Sequence, residues 1–443
     1  MKKLLFMLIS LVVLPLAAEN SALQGTLSHN REGRGVAIYP FDSAEQAAAS
    51  LTEQLDTLSS YYRALSIERM EGGSKSSFGY LNSWVGRQLK LVVGSSPQPY
   101  EVLVNGEVVG YSSTGATPSI FNITKAAQQG ERNEVVFKYL PFEGVERIEG
   151  WSSRGDMVED AYIISQPTLH IVDIFEKTTI AASGVASSMI GVRLQSTALG
   201  EQQARIFYDV TSPQGELLTQ GSRDVAIQMR GEQSVTFSAI VPDSMLWSAA
   251  SPTLYSLNLR NQKSGRKMEH MSFSVGFRSV EWGESGKLYI NGEEVEISAK
   301  RVDASISIEE LERFKAEGFN TFIISAGRYN SQIYSWADSQ GAYLIPTAAI
   351  NSSKGGATIK RGDNPTNDPA WREIYTSRSD DIYCVTQAHP SVVAFAIGES
   401  SLNADNLYHS YLHLKAKGDS RAIIYLDSQG QWNSDKIEFK VIE

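Results

Sequence analysis

Residues 389–402 read HPSVVAFAIGESSL, and they contain both a predicted strand and an acidic side chain. The apolar run from Val392 to Ile397 is typical of a strand that is buried on both faces of a parallel sheet. Glu399 follows this run, so its carboxyl is expected at the outgoing end of the strand. Parallel α/β barrels carry their catalytic residues at that end of the sheet. Glu399 is therefore a candidate catalytic acid.

Helical and strand patterns alternate on both sides of this stretch. The segment SISIEELERFKAEG predicts a helix with Ser307 as its N-cap and Gly318 at its end. The clearest strands are TFIIS, AYLIPT, VVAFAIG and RAIIYL, and KIEFKVIE at residues 436–443 is a further candidate. This alternation predicts βαβ units and a parallel sheet. A closed eight-stranded barrel typically needs about 250 residues, so we expect an incomplete TIM-type (β/α) barrel over residues 278–443.

Two all-β blocks precede this region. Residues 66–167 contain short alternating strands, and Asn105-Gly106 lies between two of them, where a tight hairpin turn needs positive φ. We expect a jelly-roll-like β-sandwich there. In residues 168–277, runs such as MIGVRLQSTAL and TLYSLNLRN recur at the spacing of an immunoglobulin-like sandwich. The fold class expected from the sequence is therefore multidomain β plus α/β.

The N-terminus has the pattern of a secretory signal peptide over residues 1–18. Lys2 and Lys3 precede the apolar run LLFMLISLVVLPL, and Ala17 and Ala18 follow it. The run is too short to span a bilayer. We expect an exported protein, periplasmic or extracellular, that has no membrane contact after signal removal; an uncleaved membrane anchor is the alternative.

Residues 19–65 form an N-terminal segment. Within it, the pattern Asp42-Ser43-Ala44-Glu45 resembles a capping box and is followed by AAASLTEQLDTL, which has helical spacing. We expect this helix to cover an edge of the first sandwich.

Charge and cysteine content narrow the class of protein. The formal net charge of −10 argues against nucleic acid or an anionic membrane surface as a partner. The single cysteine, Cys384, cannot form an internal disulfide, so packing alone must hold the fold. No phosphate-cradling glycine loop is evident, and no cofactor is predicted.

Several segments resemble, in the same order, those of glycoside hydrolase family 2, the β-galactosidase and β-glucuronidase group. VLVNGEVVGYSSTGATPSIFNIT and EDAYI resemble the family's sugar-binding sandwich. LWSAASPTLYSLNL and VGFRSVEW resemble its immunoglobulin-like domain and the junction into its barrel. GFNTFIIS, DSQGAYLI, DPAW and HPSVVAFAIG are similar to its first barrel strands. The resemblance covers nearly everything from about residue 78 onward.

The resemblance implies a retaining glycosidase site, which needs two carboxyl groups about 5–5.5 Å apart. The family's acid/base is the glutamate of "G-N-E-S" at the end of the fourth barrel strand. Aligned without a gap, Glu399 takes the asparagine place and Ser400 takes the acid/base place. A one-residue deletion would instead put Glu399 in the catalytic place. The family's nucleophile lies on the seventh strand, and we predict no seventh strand in this sequence.

Positions that support catalysis in the family also differ here. The family's "F-N-A-V-R-x-S-H-Y-P" corresponds to FNTFIISAGR, in which Ile323 stands for the arginine and Ala326 for the histidine. The family's "V-I-D-E-A-N" corresponds to LIPTAA. There, Pro346, Thr347 and Ala349 stand for two acids and the asparagine. Loss of polar positions beside a retained scaffold indicates a fold kept for something other than hydrolysis.

We therefore expect an exported family 2-like protein of carbohydrate metabolism that is catalytically impaired and acts in carbohydrate binding or as a scaffold. The alternative is an active retaining β-glycosidase that hydrolyses O-glycosyl bonds with Glu399 as acid/base, completed by another polypeptide. A third interpretation is a fragment of a split gene. The open edge of an incomplete sheet needs cover, which predicts a protein partner or a homodimer contact there.

Aromatic rings are the remaining route to sugar binding, because ring faces stack on the C–H surfaces of pyranoses. Tyr111 beside the hairpin and Trp151 are the substrate-binding candidates, with Trp84 as a third. Core or edge packing is the alternative for each. His409 and His413 lie four apart on one predicted helix, but no third ligand is evident, so no metal site is predicted.

Overall fold

The computed structural model describes residues 27–33, 35–52, 54–140, 144–150, 155–242, 245–263, 266–360, 362–428, 431–437 and 441–442. The predicted signal segment at residues 1–18, and Trp151, lie outside the described residues. Within those ranges, no helix has the length and apolar content that a bilayer crossing requires.

In the described part of the chain, the first sandwich has ten antiparallel strands. They are β1 Glu32–Gly33, β2 Tyr62–Ala64, β3 Glu68–Met70, β4 Gly73–Gly79, β5 Gln88–Val93, β6 Tyr100–Val104, β7 Glu107–Ser112, β8 Ser119–Asn122, β9 Arg132–Tyr139 and β10 Tyr162–Gln166. One sheet has the order β1-β8-β5-β10-β2 and the other β3-β4-β9-β6-β7. Trp84, Phe121 and Phe137 are buried in one core cluster that joins residues of both sheets. This is the sandwich expected from the alternating pattern.

The hairpin between β6 and β7 turns at the predicted residues. Asn105 and Gly106 have φ of 51° and 80°, as a tight turn between twisted strands requires. The side-chain nitrogen of Asn105 also donates to Asn133 Oδ1, 2.8 Å away. The predicted turn is confirmed.

The second sandwich follows directly. Its strands are β11 Leu169–Ile180, β12 Ala186–Ser196, β13 Gln202–Thr211, β14 Leu217–Ile227, β15 Glu232–Val241, β16 Tyr255–Lys263 and β17 Arg266–Val275. They form a three-stranded sheet, β11-β12-β15, and a four-stranded sheet, β14-β13-β16-β17. Along β15, exposed and buried side chains largely alternate, because one face of this sheet packs on the other. The immunoglobulin-like sandwich is confirmed.

The N-terminal helix lies on the second sandwich. Helix α1, Ala44–Ala49, packs against β16 and β17. Just before it, the backbone of Phe41 pairs with that of His270 through hydrogen bonds of 2.9 and 3.1 Å. The expectation that this helix covers an edge of the first sandwich is therefore wrong. Helical spacing predicts which face of the helix is apolar, but backbone pairing by Phe41 decides which domain that face meets.

The third region begins with an antiparallel meander and continues as a parallel sheet. The meander strands are β18 Val280–Trp282, β19 Leu288–Ile290 and β20 Glu293–Val295. The parallel strands are β21 Ala299–Val302, β22 Thr321–Ile324, β23 Tyr343–Pro346, β24 Ala394–Ala396, β25 Ala422–Ile424 and β26 Val441–Ile442. Helices α2 Ile308–Ala316, α3 Ser331–Gln340, α4 Arg372–Thr386 and α5 Asp405–Lys415 follow β21, β22, β23 and β24 in turn. The predicted βαβ alternation is confirmed.

The parallel strands curve around an apolar interior. Their inward side chains share one buried cluster, which includes Ala299, Ile323, Ile345, Ala396 and Ile424. Their outward side chains lie under the helices in a second cluster, which includes Phe322, Leu344, Phe395 and Ile423. Successive residues of a strand face opposite sides. Because residues of β21 and β25 meet in the same interior cluster, the sheet is curled, as in an incomplete barrel.

The last described residues cover both edges of this curled sheet. Strand β26 pairs in parallel with β21, with Val441 opposite Ala299. Upstream of it, Asp435 donates its amide to the carbonyl of Ile423 in β25 at 2.8 Å and accepts the Ile423 amide on its carboxylate. KIEFKVIE thus supplies a sixth strand. The expectation of an open edge is corrected: Asp435 pairs with β25 and β26 pairs with β21, so the chain itself occupies part of each edge.

Buried ion pairs join the barrel to the first sandwich. The Arg378 guanidinium on α4 lies 3.0 Å from the Glu149 carboxylate, and the two side chains are 1% and 2% exposed. Arg378 also donates to the carbonyl of Ser113 at 2.7 Å. Three residues further along α4, Asp381 pairs with Arg31 at 2.9 Å. Helix α4 is therefore held between two charged groups of the N-terminal half.

The variant Arg378→Met is expected to lower the free energy of unfolding by about 3–5 kcal/mol, because Glu149 would stay buried without its cation. Urea titration followed by circular dichroism measures the change. Arg205→Met is the control: it breaks the exposed pair with Asp224, and little change is expected. An unaltered urea midpoint for Arg378→Met would contradict this interpretation.

Glu269 is a buried carboxyl where the two sandwiches meet. Its side chain on β17 is 1% exposed. One oxygen accepts the Ile171 amide at 3.3 Å, and the other has no hydrogen-bond partner among the described residues. Burial raises the pKa of Glu269 to about 7, although the positive charge of Arg87 acts in the opposite direction. The folded state therefore holds this proton more tightly than the unfolded chain does.

A carboxyl with a raised pKa stabilises the fold at acidic pH, and this contribution is lost as the pH rises from 4.5 through about 7. The variant Glu269→Gln keeps a neutral side chain, so near pH 8 it is expected to gain up to about 3 kcal/mol relative to the unchanged protein. Near pH 4.5 this advantage should vanish. Urea titrations at both pH values test this, and Glu281→Gln, at an exposed carboxyl, controls for net charge. A pH-independent difference would refute the assignment.

Candidate functional site

The outgoing ends of the parallel strands form one rim, which we call the mouth. It is defined by the residues that follow β21 to β25, namely Asp303, Ala326, Asn351, Glu399 and Asp427. Asn351 and Glu399 lie side by side in a parallel bridge. In α/β barrels, the loops at this end of the sheet carry the active site. The mouth is therefore the candidate functional site, and Glu399 lies in it as the sequence predicts.

Glu399 is a largely buried carboxyl, only 7% exposed. Its Oε1 accepts a long hydrogen bond of 3.4 Å from the side-chain nitrogen of Asn351. Its Oε2 has no hydrogen-bond partner in the described part of the chain. Burial raises the pKa of Glu399, and the Ala326 backbone N–H and the Arg301 charge offset part of that rise. At neutral pH this carboxyl is easier to protonate than an exposed glutamate.

Ser400 occupies the turn that follows. It is exposed, has φ of 48°, and donates its amide to Asp427 Oδ2 at 2.9 Å. The next amide, of Ser401, donates to the Tyr425 hydroxyl at 3.0 Å. These bonds tie the turn to the end of β25. The rim thus presents a hydroxyl immediately after the buried carboxyl, and a serine hydroxyl lacks the proton of suitable pKa that general acid catalysis needs.

The positions around Glu399 are mostly apolar. Ile323 belongs to the interior cluster of the barrel, and Ala326 and Ala349 are buried. Pro346 ends β23 and is buried too. Thr347 is buried, and its hydroxyl has no hydrogen-bond partner among the described residues. Among the described residues, the polar side chains of the mouth are therefore mainly those of Arg301, Asp303, Asn351, Glu399, Ser400 and Asp427.

Two family models match the chain. The model Glycosyl hydrolases family 2 matches residues 169–278, and the model of the same family's TIM barrel domain matches residues 287–442. Together they cover more than half of the chain, in the order of the second sandwich and the curled sheet. The chain belongs to glycosyl hydrolase family 2.

Curated relatives of this family 2 chain include longer β-galactosidases. The chain is 24% identical over 351 residues to a β-galactosidase of Priestia megaterium. This alignment covers 74% of the chain and 33% of that protein. It is 23% identical over 408 residues to a β-galactosidase large subunit of Leuconostoc lactis. That alignment covers 88% of the chain and 63% of the relative. The chain thus spans about a third of the first relative and under two thirds of the second.

Solved structures of the family share the fold. A β-glucuronidase of Bacteroides uniformis matches with a TM-score of 0.66 at 14% identity, over 90% of this chain and 52% of that one. A family 2 member from Bacteroides cellulosilyticus DSM 14838 matches with a TM-score of 0.67 at 15% identity, over 90% and 57%. At such identities the likeness shows the fold alone: β-sandwiches followed by a TIM-barrel-like domain.

Two of the three aromatic candidates for sugar binding, Tyr111 and Trp84, are packed inside this family 2 chain. Tyr111 is 5% exposed, and its ring stacks on His29 with centroids 5.7 Å apart. Trp84 is fully buried and donates its indole N–H to the Ser60 carbonyl at 2.9 Å. Trp151 lies outside the described residues. The binding role of Tyr111 stays a prediction without support from its placement, because a sugar cannot reach a covered ring face.

The histidines have structural partners. His389 Nδ1 lies 2.6 Å from Asp338 Oδ2. The other oxygen of Asp338 accepts the Ser391 amide at 3.1 Å. This pair supports the loop before β24. His413 lies 2.9 Å from an Asp380 oxygen, and His409 bonds a backbone carbonyl of its own helix. Where the structure describes side chains, it contains no group of three metal-ligating residues.

Three neighbours of Glu399 were missed by sequence reasoning. Asp427 follows the strand RAIIYL much as Glu399 follows VVAFAIG, so the rule that parallel strands end at one edge could have found it. Arg301 lies at the end of β21 and was detectable in the same way. Asn351 lies several residues beyond β23, and only its bridge to Glu399 reveals its place.

A cleft of about 1200 Å³ adjoins the mouth on the flank of the barrel. It lies between the two sandwiches and the loops after β21 and β22. Its lining includes Tyr39, Tyr62, Glu159, Arg328 and Ala326. Glu399 is not among the lining residues of this cleft. The cleft therefore reaches the mouth at Ala326 without containing the buried carboxyl.

Proposed function

We propose that this chain is an exported family 2 protein of carbohydrate metabolism whose hydrolysis is impaired and which binds carbohydrate or serves as a scaffold. The observation that carries the proposal is Ser400. It takes the acid/base place of the family pattern and offers a hydroxyl there. A retaining glycosidase needs two carboxyl groups about 5–5.5 Å apart, one of them a proton donor at the glycosidic oxygen.

The surroundings of Glu399 support the same proposal. Ile323 and Ala326 are apolar side chains at positions where the family pattern has an arginine and a histidine. Hydrogen bonds that strengthen in the transition state supply several kcal/mol to glycoside hydrolysis. Apolar side chains cannot make such bonds. Loss of general acid assistance alone lowers the rate by about 10²–10⁴.

The second candidate function is hydrolysis with Glu399 as the acid/base. It is favoured by the raised pKa of Glu399 and by its Oε2, which has no hydrogen-bond partner among the described residues; both suit a proton donor. The nearby Asp427 charge acts in the same direction. In this candidate function a second polypeptide completes the site. The name of the Leuconostoc lactis relative, a large subunit, supports an assembly of that kind.

The test is an assay of the purified full-length chain on a panel of nitrophenyl β-glycosides, beside a glycan array. We expect turnover at least about 100-fold below that of a family 2 β-galactosidase, because general acid assistance is lost. We also expect Glu399→Gln to leave the residual rate unchanged, while the array reports bound glycans.

Turnover that is lost in Glu399→Gln and kept in Glu373→Gln, the matched change at an exposed glutamate, would overturn the impaired function in favour of the second candidate. Absence of both turnover and glycan binding would reject both carbohydrate functions and leave a scaffold role.

Export is part of the proposal and rests on the pattern of residues 1–18. Expression of the full sequence in a Gram-negative host is expected to yield a chain that begins at Glu19 in the periplasm or medium. Leu11→Arg should keep the chain in the cytoplasm, because a charge interrupts the apolar run. Mass spectrometry of cell fractions reads both results. A chain that keeps Met1 in the membrane fraction would establish the uncleaved anchor instead.

A further inference from the structure

Trp432 differs from the other tryptophans that the structure describes. Its side chain is 50% exposed. The others are Trp84, Trp247, Trp336 and Trp371, which are buried, and Trp282, which is half-buried. A single exposed apolar side chain is common on protein surfaces, so the rings and amide groups around Trp432 must carry any assignment of a contact.

The exposed ring is held in place by helix α5. The ring of Trp432 lies against Tyr408, with centroids 5.1 Å apart and planes tilted by 60°. Tyr408 in turn stacks on Tyr411 at 6.5 Å. The indole is therefore supported on one side while half of its surface faces solvent. A ring ordered in this way loses little conformational entropy when a ligand stacks on it.

A row of amide side chains lies beside the ring. Asn433 is buried and donates to Asn403 Oδ1 at 2.6 Å. Asn403 donates to Gln431 Oε1 at 3.2 Å. Gln431 is exposed, and its amide nitrogen carries donors that a hydroxyl group of a ligand can accept. Amide groups both donate to and accept from hydroxyl groups, which are the polar groups of a sugar.

Trp432 and these amide side chains lie beside the mouth. Gln431 and Trp432 are in the segment after β25, and Asn403 is in the loop after β24. The two loops are joined by the hydrogen bond from the Ser400 amide to Asp427. Trp432 and Glu399 therefore belong to neighbouring loops at the same end of the sheet.

We propose that Trp432, supported by Tyr408 and flanked by Gln431 and Asn403, is a binding platform for one pyranose ring of a neutral carbohydrate chain; this inference rests on the proposed carbohydrate binding. The indole face takes the C–H face of the sugar, and the amides take its hydroxyl groups. The Asp427 carboxylate is exposed at the same rim and disfavours uronates and sulfated sugars by like-charge repulsion.

The experiment measures binding of neutral gluco-, galacto- and manno-oligosaccharides to the full-length chain by calorimetry. Trp432→Ala is expected to weaken binding about tenfold or more, because it removes a ring contact. Trp432→Phe should give an intermediate loss, since a smaller ring remains. Gln431→Ala should weaken binding to a lesser extent. Ile240→Ala, at an exposed apolar side chain of the second sandwich, is the matched control and should bind as the unchanged protein does.

Each outcome bears on one level of the proposal. Neutral glycan binding that is unaltered in Trp432→Ala overturns the platform and leaves the proposed function intact. Binding confined to uronate or sulfated glycans overturns the neutral ligand class. Failure of the unchanged chain to bind any glycan rejects the carbohydrate binding on which the platform rests. Circular dichroism of each variant shows that the fold is retained.

Discussion

The backbone groups at the two edges of the parallel sheet need hydrogen-bond partners, and the chain supplies part of them itself. Asp435 pairs with Ile423 of β25, and β26 lies opposite Ala299 of β21. These two contacts accompany the curl of the strands around one apolar interior. The curl places the mouth, because the ends of curled parallel strands converge. Trp432 lies three residues before Asp435, so the candidate platform adjoins the covered edge of β25.

Charge burial connects the barrel to the domains before it. Arg378 and Asp381 on α4 meet Glu149 and Arg31, which come from opposite ends of the first sandwich's sequence. Glu149 is joined to the mouth directly, since its backbone lies in a bridge with Asn351, the neighbour of Glu399. The environment of Glu399 therefore depends on the first sandwich as well as on the barrel.

The chemistry of the mouth follows from burial without polar support. Glu399 has a raised pKa because burial disfavours its charge, and the contacts from Asn351, Ala326 and Arg301 offset only part of that rise. That property suits an acid catalyst, but it also arises wherever an isolated carboxyl is buried. Ser400 and the apolar side chains at Ile323 and Ala326 favour the second explanation. The surface around Trp432, with its exposed indole and amide side chains, carries more groups that suit a sugar than the surroundings of Glu399 do.

Local structure was predictable from the sequence because it depends on neighbours along the chain. Positive φ at Asn105-Gly106, the Ser307 cap of α2 and the βαβ alternation all follow from short-range sterics and hydrogen bonding. The place of Glu399 at a strand end follows in the same way. Family membership was also predictable, because many short segments occur in the family's order.

Tertiary structure alone decided which surfaces meet. Helix α1 packs on the second sandwich because Phe41 pairs with His270, a contact between residues far apart in sequence. Strand β26 covers the β21 edge of the sheet, and His29 stacks on the ring of the buried Tyr111. Trp432 is exposed for the converse reason, since its only described ring contact comes from Tyr408 on one side. Periodicity specifies which side of an element is apolar, whereas long-range pairing determines what that side touches.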